Sequence, residues 1–334
     1  MKKVCVIGAG SWGTALATVL AHNNVDVTLC MRDSWQKEQF EIRSRNMKYF
    51  PEVDLPKEIK YSLDVSSSVK GADAVVLAVS SQGNRAAIKS LVGVVDKNTV
   101  IVNVSKGMEK ETHLLCSQIS ETLLPDNPFA VLSGPSHAEE VIIQMPTAVV
   151  VACKDEKIAQ KVQDLFFNEY FRVYYNTDVT GVELGGALKN IIAFCIGIID
   201  GLGYGDNTKA AIMTRGMTEI IRLSSALGAN SATFSGLSGV GDLIVTCTSP
   251  HSRNRRAGEL IGRGETLAQA KKNVGMVVEG IIATQVAYEI SKDMNIDMPI
   301  THEIYEVLFK SGNVQDSVKK LMGRSKKHEI EITD

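Results

Sequence analysis

The stretch VCVIGAGSWGTALATVLA, residues 4–21, determines the fold of the first half of the chain. A short β-branched run, Val4–Ile7, leads directly into the pattern Gly8-x-Gly10-x-x-Gly13, and a helical run follows. In such a strand–turn–helix unit the first glycine permits the tight turn, the second lets the backbone approach a pyrophosphate, and the third lets the helix pack closely on the strand. The alternative is a glycine-rich turn without a ligand, but its place at the start of a βαβ unit favours dinucleotide binding.

The rest of the first half continues the alternation of short apolar strands and helical patterns. Strands are predicted at Val4–Ile7, Val25–Met31, Ala74–Val79, Thr99–Val104, Ala130–Leu132 and Ala148–Ala152. Runs such as VVLAV at residues 75–79 are apolar on both alternations, as expected where helices cover both faces of a sheet. The predicted fold class is therefore α/β, with an N-terminal Rossmann-type doubly wound parallel sheet.

The second half has a different pattern, in which helix follows helix. Helices are predicted at 182–200, 207–227, 254–262, 266–272, 279–290 and 300–309. With 334 residues the chain exceeds the roughly 250 to 300 residues at which single cores stop growing. We predict a dinucleotide-binding domain over residues 1–187 and an all-α substrate and catalytic domain over residues 188–330.

The composition limits the partners of the protein. The 36 Lys and Arg residues and 38 Asp and Glu residues give a formal net charge of -2. We therefore expect no nucleic-acid partner and no membrane-surface partner, and any basic site must be local. The chain start lacks a signal-peptide pattern, and no uncharged apolar stretch approaches the roughly 20 residues of a membrane span. Six widely spaced cysteines without a CxxC pair predict a reduced, cytoplasmic protein with no metal site.

The end of the second predicted strand bears on cofactor choice. Sites selective for NAD place Asp or Glu there to bind the ribose hydroxyls, whereas this strand ends in Arg32 followed by Asp33. An arginine suits a 2'-phosphate, so we expect NADPH as the preferred cofactor. Asp33 leaves NADH possible, and a solvated surface arginine is the alternative interpretation of Arg32.

Two lysines occupy positions that suit chemistry. Lys106 follows the strand at Thr99–Val104, at the carboxyl end where ligands of doubly wound sheets gather. Lys189 lies near the start of a mostly apolar helix, where burial and a neighbouring cation lower a lysine pKa towards the range of proton transfer at neutral pH. We expect Lys189 to act as an acid and base, the alternative being a lysine that reaches solvent or pairs with Glu183.

Two further segments contain donors for an anion. Ser136 lies in LSGPSHA, residues 132–138, where a strand is followed by a Gly-Pro turn and the start of a helix. Arg253 and Asn254, with Ser252 and Thr246 nearby in the sequence, offer the forked and single donors that a phosphate monoester needs.

The acidic residue upstream of this cluster, Asp242, is placed to hold a lysine or a substrate hydroxyl. The basic run at 253–256 has two alternatives, a nucleic-acid contact and a solvated helix start. The balanced charge of the remaining chain, and the lack of interleaved aromatic residues, favour the small phosphorylated ligand.

The ordered motifs of this chain closely resemble the NAD(P)-dependent glycerol-3-phosphate dehydrogenase family, especially its bacterial members, from Val4 to about Arg324. The matching stretches are GAGSWGTALA at 8–17, SKGME at 105–109, LSGPSHAEE at 132–140, ELGGALKNIIA at 183–193, GLSGVGDLIVTCTSPHSRNRRAG at 236–258 and VEG at 278–280. The resemblance implies reversible hydride transfer between dihydroxyacetone phosphate and sn-glycerol 3-phosphate, which supplies phospholipid synthesis. It also implies a homodimer.

The resemblance further implies roles for single residues. Lys189 matches the proton donor and acceptor. Positions that contact the substrate are matched by Lys106, Gly134, Ser136, Lys189, Asp242, Ser252, Arg253 and Asn254. Positions that contact the cofactor are matched by Ser11, Trp12, Arg32, Lys106, Ala138, Arg253, Val277 and Glu279, beside Gly8, Gly10 and Gly13 of the turn. The stretch Ala78–Ser81 departs from the Val-Pro-Ser that relatives commonly carry, which puts the rigidity of that turn in question, while Arg85 fits the family pattern.

Two competing functions are weighed against this one. A related dehydrogenase of 3-hydroxy acids also couples a dinucleotide domain to a helical domain with a catalytic lysine, but a carboxylate substrate does not require the donors at 252–254. A dinucleotide sensor that lost catalysis is the second competitor, and the intact Lys106, Lys189 and Asp242 count against it.

Overall fold

The computed structural model describes residues 1–326 and 328–329, and within them eight strands form one sheet. The strands are β1 (Lys3–Ile7), β2 (Asp26–Cys30), β3 (Lys60–Ser62), β4 (Ala74–Leu77), β5 (Val100–Asn103), β6 (Phe129–Ser133), β7 (Thr147–Ala152) and β8 (Phe171–Asn176). Their order is β3-β2-β1-β4-β5-β6-β7-β8, and every neighbouring pair is parallel except β6 and β7. The doubly wound, mainly parallel sheet is confirmed, and β3 and β8 were not among the six predicted strands.

Helices cover both faces of this sheet. They are α1 (Ser11–His22), α2 (Ser34–Arg43), α3 (Val65–Val69), α4 (Asn84–Lys89), α5 (Cys116–Leu123), α6 (Ala138–Val141) and α7 (Glu156–Phe166). On β1, Val4 and Val6 belong to the core that includes residues of α1 and α7, whereas Cys5 and Ile7 belong to the core on the other face. Because side chains alternate along a strand, a strand buried on both faces is apolar throughout.

The second half is helical, as predicted. Its helices are α8 (Val179–Gly201), α9 (Asp206–Ala226), α10 (Asp242–Thr248), α11 (Arg253–Gly262), α12 (Leu267–Val274), α13 (Glu279–Asp293), α14 (Pro299–Phe309) and α15 (Val314–Met322). At the start of α12, Thr266 and Gln269 form a capping box. Helices α10 and α15 were not predicted, and α10 directly follows a glycine-rich stretch that indicates a loop.

Helix α8 is the central element of the helical half. By length and composition it could cross a membrane, but its apolar window is 100% buried inside the protein. Glycines let it pack tightly on α11, since an added Cβ at Gly197 falls 1.9 Å from the Arg255 carbonyl oxygen and one at Gly258 falls 2.0 Å from the Phe194 carbonyl oxygen. The predicted domain boundary at residues 187 and 188 lies inside α8, and it stays a prediction.

Candidate active site

The glycine-rich turn lies between β1 and α1, where the order of the sheet changes direction. Strands β2 and β4 flank β1, so the turn lies at the switch point where doubly wound sheets bind ligands. Gly8 has a φ of +112°, and an added Cβ there falls 2.4 Å from the Ala78 carbonyl oxygen. A Cβ at Gly13 falls 1.9 Å from the Gly8 carbonyl oxygen. Both glycines are therefore required by the packing of the turn itself.

Gly10 is different, because an added Cβ there meets no atom of the described residues within 4 Å. Gly10 is also the N-cap residue of α1, and no side chain caps the first backbone N–H groups of this 12-residue helix. The indole Nε1 of Trp12, in the first turn, is buried and has no hydrogen-bond partner in the described part of the chain. Open space, free amide donors and the positive end of a helix fit the pyrophosphate of a dinucleotide.

The two residues considered for cofactor choice have different surroundings. Arg32 is exposed and makes no hydrogen bond or ion pair with another described residue. Asp33 caps α2, where its Oδ1 accepts hydrogen bonds from the Trp35 and Gln36 backbone nitrogens at 2.9 and 3.2 Å. The Asp33 carboxylate is therefore already used to cap α2, whereas the Arg32 guanidinium is available to a ligand.

One cleft of about 410 Å³ extends from the glycine turn to the helical half. It is lined by most of the predicted site residues: Gly10, Ser11, Trp12, Lys106, Ser136, Ala138, Lys189, Asp242, Ser252, Arg253, Asn254, Val277 and Glu279. Four predicted residues are not among those lining it, namely Gly8, Gly13, Arg32 and Gly134. The first two act within the turn, and the Gly134 carbonyl oxygen accepts a hydrogen bond from Lys106 Nζ at 2.8 Å.

The polar centre of the cleft is a cluster of two lysines and one aspartate, in which Lys189 and Asp242 are buried and Lys106 is partly buried. Asp242 Oδ2 accepts a hydrogen bond from Lys106 Nζ at 2.8 Å, and Asp242 Oδ1 accepts one from Lys189 Nζ at 2.5 Å. Lys189 Nζ also donates to Thr246 Oγ1 at 2.6 Å. Lys106 lies in the loop after β5, Lys189 lies in α8 and Asp242 begins α10. The cluster therefore joins the two halves of the protein. Lys189 pairs with Asp242, so neither alternative interpretation of this lysine, solvent exposure or pairing with Glu183, describes the structure.

The electrostatics of the cluster follow from its burial. Burial lowers the pKa of Lys189 to about 8, with a further decrease from Lys106, while Asp242 opposes the change. Burial also disfavours the charged form of Asp242, but the two lysines outweigh it, and the pKa of Asp242 is below its ordinary value. At neutral pH the site therefore holds a carboxylate between two cations, and Lys189 can lose its proton within a physiological range.

The donors expected to meet a phosphate lie at the start of α11. Ser252 is the N-cap residue of α11, where its Oγ accepts a hydrogen bond from the Arg255 backbone nitrogen. Asn254 is held at both ends of its amide: its Oδ1 accepts from the Gly280 backbone nitrogen at 2.9 Å, and its Nδ2 donates to Asn190 Oδ1 at 2.8 Å. This arrangement fixes the Asn254 side chain before any ligand binds.

The turn at Ala78–Ser81, which departs from the family pattern, is tied to the helical half. Glu279 accepts hydrogen bonds from the Ser81 backbone nitrogen at 3.1 Å and from Ser81 Oγ at 2.6 Å. Burial raises the pKa of Glu279, although the Ser81 donors oppose the change. Four residues on, Arg85 forms a forked ion pair with Glu109 at 2.6 to 3.0 Å. The turn is thus held by side-chain contacts.

Sequence reasoning missed several residues of the cleft. Asn190 also donates to the Lys106 carbonyl oxygen at 3.2 Å and so connects both lysine-bearing segments. His137 lines the cleft, and burial, followed by the nearby lysines, lowers its pKa and so favours the neutral ring. Tyr49 and Met276 approach the cleft from loops of opposite halves. Of these, only Asn190 had a sequence signal, as a polar residue beside Lys189 in an apolar helix.

Together the doubly wound sheet, the uncapped glycine turn and the lysine–aspartate cluster define a dinucleotide-dependent oxidoreductase. Family models described as NAD-dependent glycerol-3-phosphate dehydrogenase N-terminus and C-terminus match residues 3–159 and 178–319. The chain belongs to this family.

Individual relatives are similar over their whole length. The chain is 50% identical to glycerol-3-phosphate dehydrogenase [NAD(P)+] of Bacillus pumilus (strain SAFR-032), covering 99% of this chain and 97% of the relative. It is 52% identical to the protein of the same name from Thermoanaerobacter sp. (strain X514), covering 98% and 99%. Among solved structures, the crystal structure of glycerol-3-phosphate dehydrogenase from Coxiella burnetii is similar with a TM-score of 0.92, 36% identity and coverage of 97% and 99%.

Proposed function

We propose that this chain catalyses reversible hydride transfer between NAD(P)H and dihydroxyacetone phosphate, giving sn-glycerol 3-phosphate for glycerophospholipid synthesis. The observation that carries the proposal is the Lys106–Asp242–Lys189 cluster, which opens into the same cleft as the glycine turn. The substrate is the one in the names of the relatives that are about half identical to this chain. The donors at the start of α11 suit its phosphate.

Lys189 is the proposed acid and base. An ammonium group has three donors, and Lys189 Nζ uses one on Asp242 and one on Thr246. The third is available to the oxygen on C2 of the substrate, and with a pKa of about 8 Nζ can both give and take this proton. Lys106 Nζ is engaged by Asp242 and the Gly134 carbonyl oxygen, so its proposed part is to hold positive charge where the oxygen becomes negative.

The cofactor binds, in this proposal, over the glycine turn, with Ser11, Trp12 and Glu279 beside it. The nicotinamide supplies the hydride when it is bound. The chain's own contribution is to orient the reactants and to exclude water, and the cleft between the two halves provides both. We propose NADPH as the preferred form, with Arg32 binding the 2'-phosphate and NADH as a possible second cofactor.

The remaining site assignments are also proposals. Ser252, Arg253 and Asn254 bind the phosphate, and Gly134 and Ser136 are further substrate contacts. Support comes from their shared place in the cleft, where Lys106 Nζ lies 3.5 Å from Ser136 Oγ and Asn254 is held by Asn190.

The first test follows absorbance at the reduced-nicotinamide band with purified protein and dihydroxyacetone phosphate. NADPH and NADH are run side by side, and a 3-hydroxy acid replaces the substrate in the matched control. Rapid NADPH oxidation that depends on dihydroxyacetone phosphate is the expected result. Turnover of only the hydroxy acid favours the related dehydrogenase, and cofactor binding without turnover favours the sensor.

We also propose a cytoplasmic homodimer without nucleic-acid or membrane partners. All six cysteines are free and buried, which suits a reducing compartment. The formal net charge of -2 gives no general attraction to polyanions. Light scattering of the purified protein tests the assembly, since a dimer has twice the 36.2 kDa mass of the chain.

A further inference from the structure

A second depression adjoins the cleft, and we call it the basic groove. It has a volume of about 740 Å³ and is lined by Lys48, Tyr49, Arg253, Lys271, Lys272, Gly275, Met276, Val277, Val278, Ile281 and Ile282. One wall comes from the loop after α2, and the other from the start of α11, from α12 and α13, and from the segment between α12 and α13. The groove therefore lies between the two halves of the protein, as the cleft does.

The groove carries uncompensated positive charge. Four of its lining residues are cations and, of the described residues that line it, none is acidic. Lys48, Lys271 and Lys272 are exposed, and no ion pair within the described part of the chain neutralises them. This local excess contrasts with the chain as a whole, whose formal net charge is -2.

The groove and the cleft are continuous. Tyr49, Arg253, Met276 and Val277 line both. A solute that enters the groove therefore reaches the residues of the cleft without leaving the protein surface. One of the four shared residues, Arg253, is also one of the proposed phosphate contacts.

We propose that the basic groove is the entrance through which the dinucleotide reaches the cleft, and that Lys48, Lys271 and Lys272 accelerate its association. A cleft lined by one sign of charge concentrates ligands of the opposite sign and raises association rates by about 10 to 1,000-fold. The dinucleotide is an anion, and the 2'-phosphate of NADPH adds about two further negative charges. The three lysines act on the approach of the ligand and are distinct from the proposed bound-state contacts.

The test measures binding of the cofactor alone, by stopped-flow quenching of tryptophan fluorescence. Trp12 lines the cleft and is one of two tryptophans. The test variant is Lys271→Gln/Lys272→Gln, with Lys48→Gln added in a second step. The matched control is Lys157→Gln/Lys161→Gln, which removes two exposed lysines from another helix, α7.

At low ionic strength, where the Debye length is about 30 Å, we expect the association rate constant for NADPH to fall roughly tenfold in the test variant. The difference should shrink below about twofold near 1 M salt, where the Debye length is about 3 Å. The dissociation rate constant should stay within about twofold of wild type, and the control should match wild type. NADH should show a shallower salt dependence than NADPH.

Two results would overturn the proposal. One is an association rate constant that does not change in the test variant or changes equally in the control. The other is a faster dissociation with unchanged association, which makes the lysines bound-state contacts. The inference rests on the proposed dinucleotide site. The two failures can be told apart, because wild-type protein that does not bind NADPH refutes the site itself, whereas wild-type binding with unchanged variant rates refutes only the role of the lysines.

Discussion

The glycine turn and the lysine–aspartate cluster are two parts of one cleft built by opposite means. The turn lies within the sheet half, where its tight contacts join Gly13 to the nearby Gly8 and join Gly8 to Ala78, just after the adjacent strand β4. The cluster joins residues that are 53 and 136 positions apart, Asp242 with Lys189 and with Lys106. The glycine turn can therefore form within the sheet half alone, whereas the lysine–aspartate cluster exists only when both halves have docked.

The substitution Lys189→Met should separate the function of the lysine–aspartate cluster from that of the glycine turn most clearly. Loss of the proton donor should lower kcat by roughly 100 to 10,000-fold, the range typical of a positioned acid or base. Because Lys189 lies outside the turn, the NADPH dissociation constant should stay within about threefold of wild type. Turnover and NADPH fluorescence measure the two effects. Lys157→Met, on the surface of α7, is the matched control, and near-normal turnover of the Lys189 variant removes this lysine from the mechanism.

Two glycine substitutions separate the ligand-binding role of the turn from its packing role. Gly10→Ala adds a methyl group that meets no atom of the described residues within 4 Å, so the fold should be unaffected while NADPH affinity falls by about 100-fold. Gly13→Ala places a methyl group 1.9 Å from the Gly8 carbonyl oxygen, so thermal stability should fall as well. Calorimetry and fluorescence titration measure these quantities. Equal losses of stability in both variants would contradict the distinction between a ligand glycine and a packing glycine.

The pH dependence tests the cluster without changing the turn. Reduction needs protonated Lys189, so its rate should fall about tenfold for each pH unit above the pKa of about 8, while oxidation needs the neutral amine and should rise up to this pH. Asp242 favours the charged amine, and Asp242→Asn should therefore move both transitions to lower pH. Rate profiles in both directions measure this effect. Profiles that keep the wild-type midpoint in the variant argue against the coupling of these groups.

The smallest expected effect concerns the choice between NADPH and NADH, which we assign to Arg32 after the end of β2. Arg32→Ala should raise the NADPH Michaelis constant by about tenfold, since an exposed charge-assisted contact contributes roughly 1.5 kcal/mol. The NADH constant should change by less than about twofold. Arg43→Ala, at the other end of α2, is a control with the same loss of charge. An unchanged NADPH constant removes Arg32 from the site.

The same contrast explains how much could be predicted. The strand–turn–helix at the N-terminus was predictable because the three glycines and the flanking strand and helix follow one another within a single short stretch of sequence. The burial of Lys189 was also predictable, since most of its neighbours in the sequence of α8 are apolar. Its pairing with Asp242 was only one of several options, because nothing in the local pattern fixes which distant acid meets a buried lysine.

Other features had no local signal. The short edge strand β3 contains only three residues, so no period is visible. Helix α10 follows a π-helical turn at Leu237–Gly241, whose glycines predict a loop, and an added Cβ at Gly239 falls 2.1 Å from the Phe234 carbonyl oxygen. The basic groove combines Lys48 with lysines of α12, more than 200 residues later, and only the docking of the halves brings them together.

The burial of α8 also has a consequence for the order of events during synthesis. This helix emerges from the ribosome well before α11 and α13, two of the helices that pack on it, the second of which ends at Asp293. At about 5 to 20 residues per second, its apolar surface waits roughly 5 to 20 s for its partners. Nascent chains that end before α13 should therefore expose the aggregation-prone apolar surface of α8. Chaperones that bind apolar helices are expected to protect these chains until Lys189 is buried.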